Sequence, residues 1–286
     1  MDDKSTADKP LVSVVIPAYN AQATIGRTLD SLIRQTYDNI MIIVVVEYGC
    51  ADDTLKVCRQ YAQSDSRIFT VQNSKNLGMP LSTNRGLELA TGKYIAKVDA
   101  DDVCSLNKIE KQVLFMEAHP NVGVCGTQLT EIDENSGSAT CSNYPTDTDE
   151  LKCICLFNMP MGHPTVMFRA ETLAKYGFRY PNRITEDYAL FSAMSDFMDF
   201  AVLPEELLEY HVAGSNATSV RFEAIRDDSA QISKEYIKKS LGVDTGAYDD
   251  SYFGWRKYES INIDSIEYIM KGADLLREKR SRKQSR

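Results

Sequence analysis

The sequence predicts an α/β protein with a mixed, mostly parallel sheet flanked by helices, and a helical extension at the C-terminus. Over the first hundred residues, short β-branched apolar runs alternate with segments whose apolar residues recur at helical spacing. One of those runs, Ile40–Val46, is apolar throughout, as a central strand covered on both faces must be. A helix between each successive pair of strands calls for right-handed crossovers, and hence parallel pairing.

The elements follow in order. Leu11–Ile16 reads as the first strand, ending at Pro17, and Ala23–Gln35 as a helix with Ile25, Leu29, Leu32 and Ile33 on one face. After the Ile40–Val46 strand, Asp52 can cap a helix whose Leu55, Cys58, Tyr61 and Ala62 share a face. Ile68–Val71 is a short strand. Pro80 opens a helix through Leu89, which Thr91-Gly92 ends. Tyr94–Val98 is a strand running straight into Asp99-Ala100-Asp101-Asp102. Beyond it the pattern predicts a helix at 106–118, strands at 122–126 and 129–133, and a polar loop at 134–149. A short helix at 151–157, a strand at 163–168, a helix at 187–195 and a strand at 207–211 follow. Residues 221–240 and 261–280 read as two further helices, with Ile266, Ile269, Ala273 and Leu276 striping the second. The domain plan is an N-terminal tail (1–10), an α/β domain (11–212) and a helical extension with a basic tail (213–286), divided at the Gly/Asn/Ser stretch 214–219.

Composition narrows the function. The chain of 286 residues is 43% apolar and 26% charged, which suits one large globular domain and excludes a disordered or collagenous chain. A net charge of −9 argues against nucleic acid as a partner. The last ten residues carry a net +5, so the rest carries −14. The polar, acidic N-terminus lacks the pattern of a signal peptide, and no apolar run reaches the ~20 residues of a membrane span. Seven cysteines without a CxxC pair fit a reducing compartment. The expectation is a cytoplasmic protein.

In a parallel sheet, ligands bind beyond the carboxyl ends of the strands, which singles out Pro17–Asn20, Glu47–Ala51 and Asp99–Asp102. With 24 aspartates, the Asp-x-Asp spacing arises about twice by chance, and it recurs at Asp147/Asp149. Context separates the two. Carboxylates crowded at the mouth of a buried strand repel one another unless a cation joins them, and such oxygen ligands suit Mg²⁺ or Mn²⁺. The simpler role for Asp101 or Asp102 is to cap the helix at 106–118.

The segments VSVVIPAYN (12–20), GCADDT (49–54), NLG (76–78), STNRGLELATGKYIAKVDADD (82–102), HPTVMF (163–168) and ITEDYALF (184–191) occur in one order over residues 11–212. In this the sequence resembles the family 2 glycosyltransferases, and is most similar in wording to bacterial enzymes that build exopolysaccharide, capsule or O-antigen. The resemblance implies the GT-A fold, a Rossmann-like architecture for nucleoside-diphosphate sugars. It implies transfer of a sugar from such a donor, a UDP-sugar above all, to a glycan or polyprenyl-linked acceptor, with Mn²⁺ or Mg²⁺ as cofactor and inversion at the anomeric carbon. Carried over by position, Pro17, Ala18, Tyr19 and Asn20 line the nucleotide, with Glu47, Thr83 and Asn84 also on the donor side. Asp99 meets the ribose or the metal, and Asp101 binds the metal with Asp102 close by. Asp187 is the catalytic base and Glu186 the second choice. Each has a plainer alternative: Tyr19 as an aromatic plug, Asp187 as a helix cap, and His163, a candidate for the acceptor side, as a hydrogen-bonded structural residue.

Two departures from the family pattern stand out. Glu47-Tyr48 replaces the paired aspartates usual before the second loop, which motivates an alternative reading as a catalytically weak sugar-nucleotide-binding or scaffolding subunit. The run Tyr210-His211-Val212-Ala213 lacks the later histidine of many relatives, so His211 is not assigned to the metal. The basic tail could hold the protein peripherally on the inner face of the cell membrane, where each Lys or Arg gains ~1 kcal/mol from anionic lipid. A dinucleotide-dependent oxidoreductase is disfavoured because no GxGxxG follows the first strand.

Overall fold

The computed structural model describes residues 9–213 and 222–242. The chain alternates through β1 (Val12–Ala18), α1 (Ile25–Ile33), β2 (Ile40–Val46), α2 (Thr54–Ser64), β3 (Ile68–Gln72), α3 (Met79–Leu89) and β4 (Tyr94–Lys97). It continues through β5 (Val103–Cys104), α4 (Lys108–Ala118), β6 (Val122–Asp133), β7 (Ala139–Cys141), α5 (Thr148–Ile154) and a 3₁₀ turn at His163–Thr165. Then come β8 (Met167–Arg169), α6 (Ala170–Tyr176), α7 (Glu186–Met194), β9 (Asp199–Val212) and α8 (Phe222–Leu241). The strands form one mixed sheet in the order β3-β2-β1-β4-β8-β6-β9-β5, with β7 on the outer part of β6. β3, β2, β1 and β4 are mutually parallel, while β8 runs antiparallel to both β4 and β6. β1 lies between β2 and β4, so the chain reverses its order across the sheet at β1, and the gap beyond the ends of β1 and β4 is where such sheets bind ligands.

Side chains alternate across a strand, so each face of the sheet builds its own core. Val12, Val14 and Ile16 of β1 pack with Ile25, Leu29, Ile109, Val113 and Met116 on one face. Val15 packs on the other with Leu87, Leu151, Leu173, Phe191 and Met194, and with Ala230, Tyr236 and Ile237 of α8. The helix after residue 220 is therefore built into the second core. α3 lies directly on β1: a Cβ on Gly86 would sit 2.3 Å from Val15 Cγ1, so only glycine permits this approach.

Several boundaries differ from expectation, each for a local reason. The strands expected at 122–126 and 129–133 are one strand, β6, paired along its length with β9 through register shifts near Thr127 and Gln128. The strand expected at 207–211 is the second half of β9. Pro204, with no N–H to give, falls where the register jumps from Leu203 to Glu206. His163–Thr165 is a 3₁₀ turn with Pro164 at its start, which leaves only Met167–Arg169 as strand. The polar loop at 134–149 holds β7 and the start of α5, whose N-cap is Asp147, accepting the Asp149 and Glu150 amides at 2.9 and 3.0 Å. Capping accounts for the second Asp-x-Asp match. α6 and two-residue β5 were not expected. α6 ends on Gly177 with φ of 66°, a glycine stop signal present in the sequence.

No helix among the described residues is long and apolar enough to cross a membrane. The N-terminal residues 1–8, the 214–219 boundary, the helix expected at 261–280 and the basic tail lie outside the described residues.

Candidate active site

β4 delivers the acidic cluster. The Val98 amide still donates to Val15 O at 3.1 Å, after which the chain leaves the sheet as Asp99–Asp102. Two side chains of the α1 segment grip the turn: Thr24 Oγ1 donates to Ala100 O at 2.9 Å and Arg27 Nε to Asp101 O at 3.1 Å. From the opposite side the His211 amide donates to Asp102 Oδ1 at 3.3 Å. Neither aspartate caps α4, whose N-cap is Asn107. Asp102 is fully buried, and its Oδ2, like His211 Nε2, is a buried atom without a hydrogen-bond partner among the described residues. Burial, reinforced by Asp99 and Asp101, pushes the Asp102 carboxyl well above its usual range, and burial beside Asp99 raises Asp101.

Lys97, which the sequence reading passed over, lies at the centre of this region. Its residue is 4% exposed and its Nζ forms an ion pair with Asp99 Oδ1. A lysine inside a strand buried on both faces needs an anion beside it, and the aspartates two and four residues on were the available signal.

Glu186 and Asp187 form the first turn of α7, with Thr185 as N-cap, so neither is the helix cap itself. Asp187 Oδ1 accepts the Tyr188 amide at 2.8 Å. Burial, then the neighbouring Asp187, pushes Glu186 up to about 8, and burial raises Asp187 as well. Lys97 and Asp99 both act electrostatically on this pair, so the end of β4 and the start of α7 lie within electrostatic reach of each other. α8 fixes the approach to α7: Asp228 accepts the Thr185 amide at 3.0 Å, the Thr185 hydroxyl at 2.6 Å and Arg183 Nη2 at 2.8 Å.

The donor-side residues divide. Tyr19 and Asn20 are exposed just past β1, with Asn20 at φ of 49° and its Oδ1 accepting the Ala51 amide at 2.8 Å. Pro17 and Ala18 are instead the last residues of β1, and both are buried. Thr83 is also buried, its hydroxyl turned back to Met79 O within α3. Asn84 holds the backbone of Tyr180. Glu47 is 2% exposed, and its oxygens take the Tyr48 and Leu77 amides, the Asn73 side chain and the Ser82 hydroxyl. Burial would raise this carboxyl, but the four donors outweigh it and hold it below its usual range. It anchors the loop before α3, with Oε1 taking three of the four donors and Oε2 the Ser82 hydroxyl.

Asp99, Asp101 and Asp102 form an all-oxygen set whose mutual repulsion a hard divalent cation would relieve, and the orphaned Asp102 Oδ2 fits that chemistry. Among the described residues no three His, Cys, Asp or Glu side chains converge on a metal position. Asp99, Asp101 and Asp102 would supply at most part of a shell, the arrangement in which Mg²⁺ or Mn²⁺ is held by one or two carboxylates with the remaining ligands from elsewhere.

The family model described as Glycosyl transferase family 2 matches residues 13–179. An uncharacterized glycosyltransferase of Haemophilus influenzae is 32% identical over 248 residues, covering 82% of this chain and 76% of that protein. The amylovoran biosynthesis glycosyltransferase AmsE of Erwinia amylovora is 30% identical over 214 residues, covering 74% and 79%. Among solved structures, S. aureus TarS 1-349 in complex with UDP-GlcNAc superposes with a TM-score of 0.62 at 18% identity, covering 82% of this chain and 74% of that one.

Proposed function

The chain belongs to glycosyl transferase family 2 and is a glycosyltransferase; we propose that it moves a sugar, with inversion, from a UDP-sugar to a hydroxyl of a glycan or lipid-linked acceptor in bacterial cell-surface polysaccharide synthesis. The observation that carries this is that both acidic groups, Asp99–Asp102 and Glu186-Asp187, adjoin the segment His163–Val166: the Lys97 amide, two residues before Asp99, donates to Val166 O at 3.0 Å, and His163 Nδ1 lies 3.8 Å from Asp187 Oδ2. The AmsE relative is named for polysaccharide synthesis, and the TarS structure holds a UDP-sugar.

Asp187 is the general base, with Glu186 as the second choice. Burial raises the proton affinity of Asp187, which strengthens it as a base once ionised, while the Tyr188 amide on Oδ1 fixes its plane. Tyr19 presents a ring face for the nucleotide base, and Asn20 holds the loop beside it. Asp99, Asp101 and Asp102 would hold Mn²⁺ or Mg²⁺, which when bound neutralises the charge developing on the diphosphate leaving group. Lys97 keeps Asp99 in place from within the sheet.

Donor hydrolysis or transfer with UDP-sugars and Mn²⁺ tests this. Asp101→Ala and Asp187→Ala are expected to lower turnover by about 100-fold or more. A wild-type protein that binds donor but turns over none of a donor panel, with a competent acceptor present, would overturn the catalytic reading in favour of a sugar-nucleotide-binding subunit.

A further inference from the structure

Three side chains outside that mechanism form a line running to Asp187. Asn84 of α3 donates from Nδ2 to Tyr180 O at 2.8 Å and accepts the Tyr180 amide on Oδ1 at 2.9 Å, so one side chain fixes both polar groups of that backbone. The Tyr180 hydroxyl lies 2.8 Å from His163 Nε2, and His163 Nδ1 lies 3.8 Å from Asp187 Oδ2. The edge of Phe191 meets the imidazole with centroids 6.5 Å apart, and Pro164 restricts the backbone of His163.

The proton count on this line is constrained. Burial, then the positive charge of Lys97, pushes His163 well below its usual value, so the ring is neutral and holds one proton. Burial, then Asp187, Glu186 and Asp99, pushes Tyr180 well up, so its hydroxyl keeps its proton. Were that ring proton on Nε2, the bare Nδ1 lone pair would face a carboxylate, and the Tyr180 hydroxyl proton would have no acceptor among the described residues. With the proton on Nδ1, Tyr180 donates to Nε2 and the N–H lies on the side of the ring nearer Asp187, whose Oδ2 is 3.8 Å away. The Tyr180 end is then a hydrogen bond and the Asp187 end a close approach of a ring N–H to a carboxylate oxygen.

We propose that Tyr180 holds His163 in its Nδ1–H tautomer and that His163 is thereby a positioning residue for Asp187, presenting an N–H to Oδ2 while the Tyr188 amide holds Oδ1. The inference rests on the reading of Asp187 as the base. At 3.8 Å the His163–Asp187 separation is longer than a hydrogen bond, so the neutral ring acts on Oδ2 through the dipole of its N–H. No net proton moves along the line. Its effect is to decide which lone pair of Asp187 remains for the substrate.

The chain has three histidines, which makes ring ¹⁵N NMR of the full-length protein tractable, with His163→Asn used only to assign the signal. The expected result is a protonated Nδ1 and an unprotonated Nε2 for His163, unchanged between about pH 5 and pH 8. In Tyr180→Phe the ring should shift toward a mixture of tautomers. The same variant should lower kcat about tenfold, with donor KM and thermal midpoint near wild type. An Nε2–H tautomer or an imidazolium in the wild type overturns the proposal. So does a Tyr180→Phe variant with unchanged kcat, or one whose loss of activity follows a fall in its thermal midpoint. The NMR arm needs no substrate, so it stands or falls separately from the transferase reading.

Discussion

Lys97 shows how a single residue can organise a site from beneath. A buried ammonium is costly unless paired, and here the pairing is with Asp99, just past the end of the strand, in the turn that also holds Asp101 and Asp102. Its charge opposes the rise in Asp101, Asp102, Glu186 and Asp187 that burial imposes. The acidic pair at α7 gives the site a pH dependence of its own. Glu186 is raised to about 8 by burial and by Asp187, so the unfolded chain releases this proton first as pH rises. Any stability this carboxyl lends is therefore present below the usual carboxylate value and is lost as pH rises through about 8. Glu186→Gln should flatten that dependence, raising the thermal midpoint at pH 8.5 but not at pH 4, by about 2–4 °C for each kcal/mol relieved. Scanning calorimetry at the two pH values checks this. An equal shift at both would point to packing rather than ionisation.

Among the elements, α3 shows most directly how sequence sets position. Gly86 lets the helix settle on Val15, and the same helix presents Ser82 to Glu47 and Asn84 to Tyr180. Gly86→Ala gains helix propensity, worth about 1 kcal/mol, but must move Val15 or the helix, costing about 1–3 kcal/mol. The expected outcome of urea unfolding is a net loss of stability, and a gain would show that the helix–strand contact yields easily. Strands and helices with a strong period were legible in the sequence: β1, β2, α1, α2 and α3 lie where their apolar residues place them. β5, β7 and α6 were not, because two or three paired residues, or two turns of helix, leave too short a pattern. The full lengths of β6 and β9 were not legible either, because the register shifts at Thr127, Gln128 and Pro204 interrupt the local pattern while the pairing of the two strands carries through them.

Across the whole molecule, the two faces of the sheet contribute differently to the site. The first core supports the β4 turn through α1, with Thr24 and Arg27 as its grips. The second core carries α7 and α8, and α8 returns Asp228 to the residues just before Glu186. Bonds from Arg183 and Thr185 outweigh the effect of burial and hold Asp228 below its usual range, so it stays ionised as their acceptor. Asp228→Ala should cost about 2–3 kcal/mol in chemical unfolding through loss of hydrogen bonds to a charged group. It should also lower kcat about tenfold with little change in donor KM, since it loosens the base side and leaves the β4 turn alone. A fall in donor KM with kcat preserved would contradict this division of labour.

The sequence by itself determined the α/β alternation, the β4 terminus of the acidic cluster and the placement of an acidic pair at the start of a helix, because hydrophobic period and local turn chemistry are written in neighbouring residues. Only the tertiary structure decided that Lys97 underlies both acidic groups, that Glu47 is an anchor occupied by its own loop, and that Asn84, Tyr180 and His163 line up on Asp187. Those relations join residues tens of positions apart, and they depend on which donors burial removes from water and which partners the fold then places within reach.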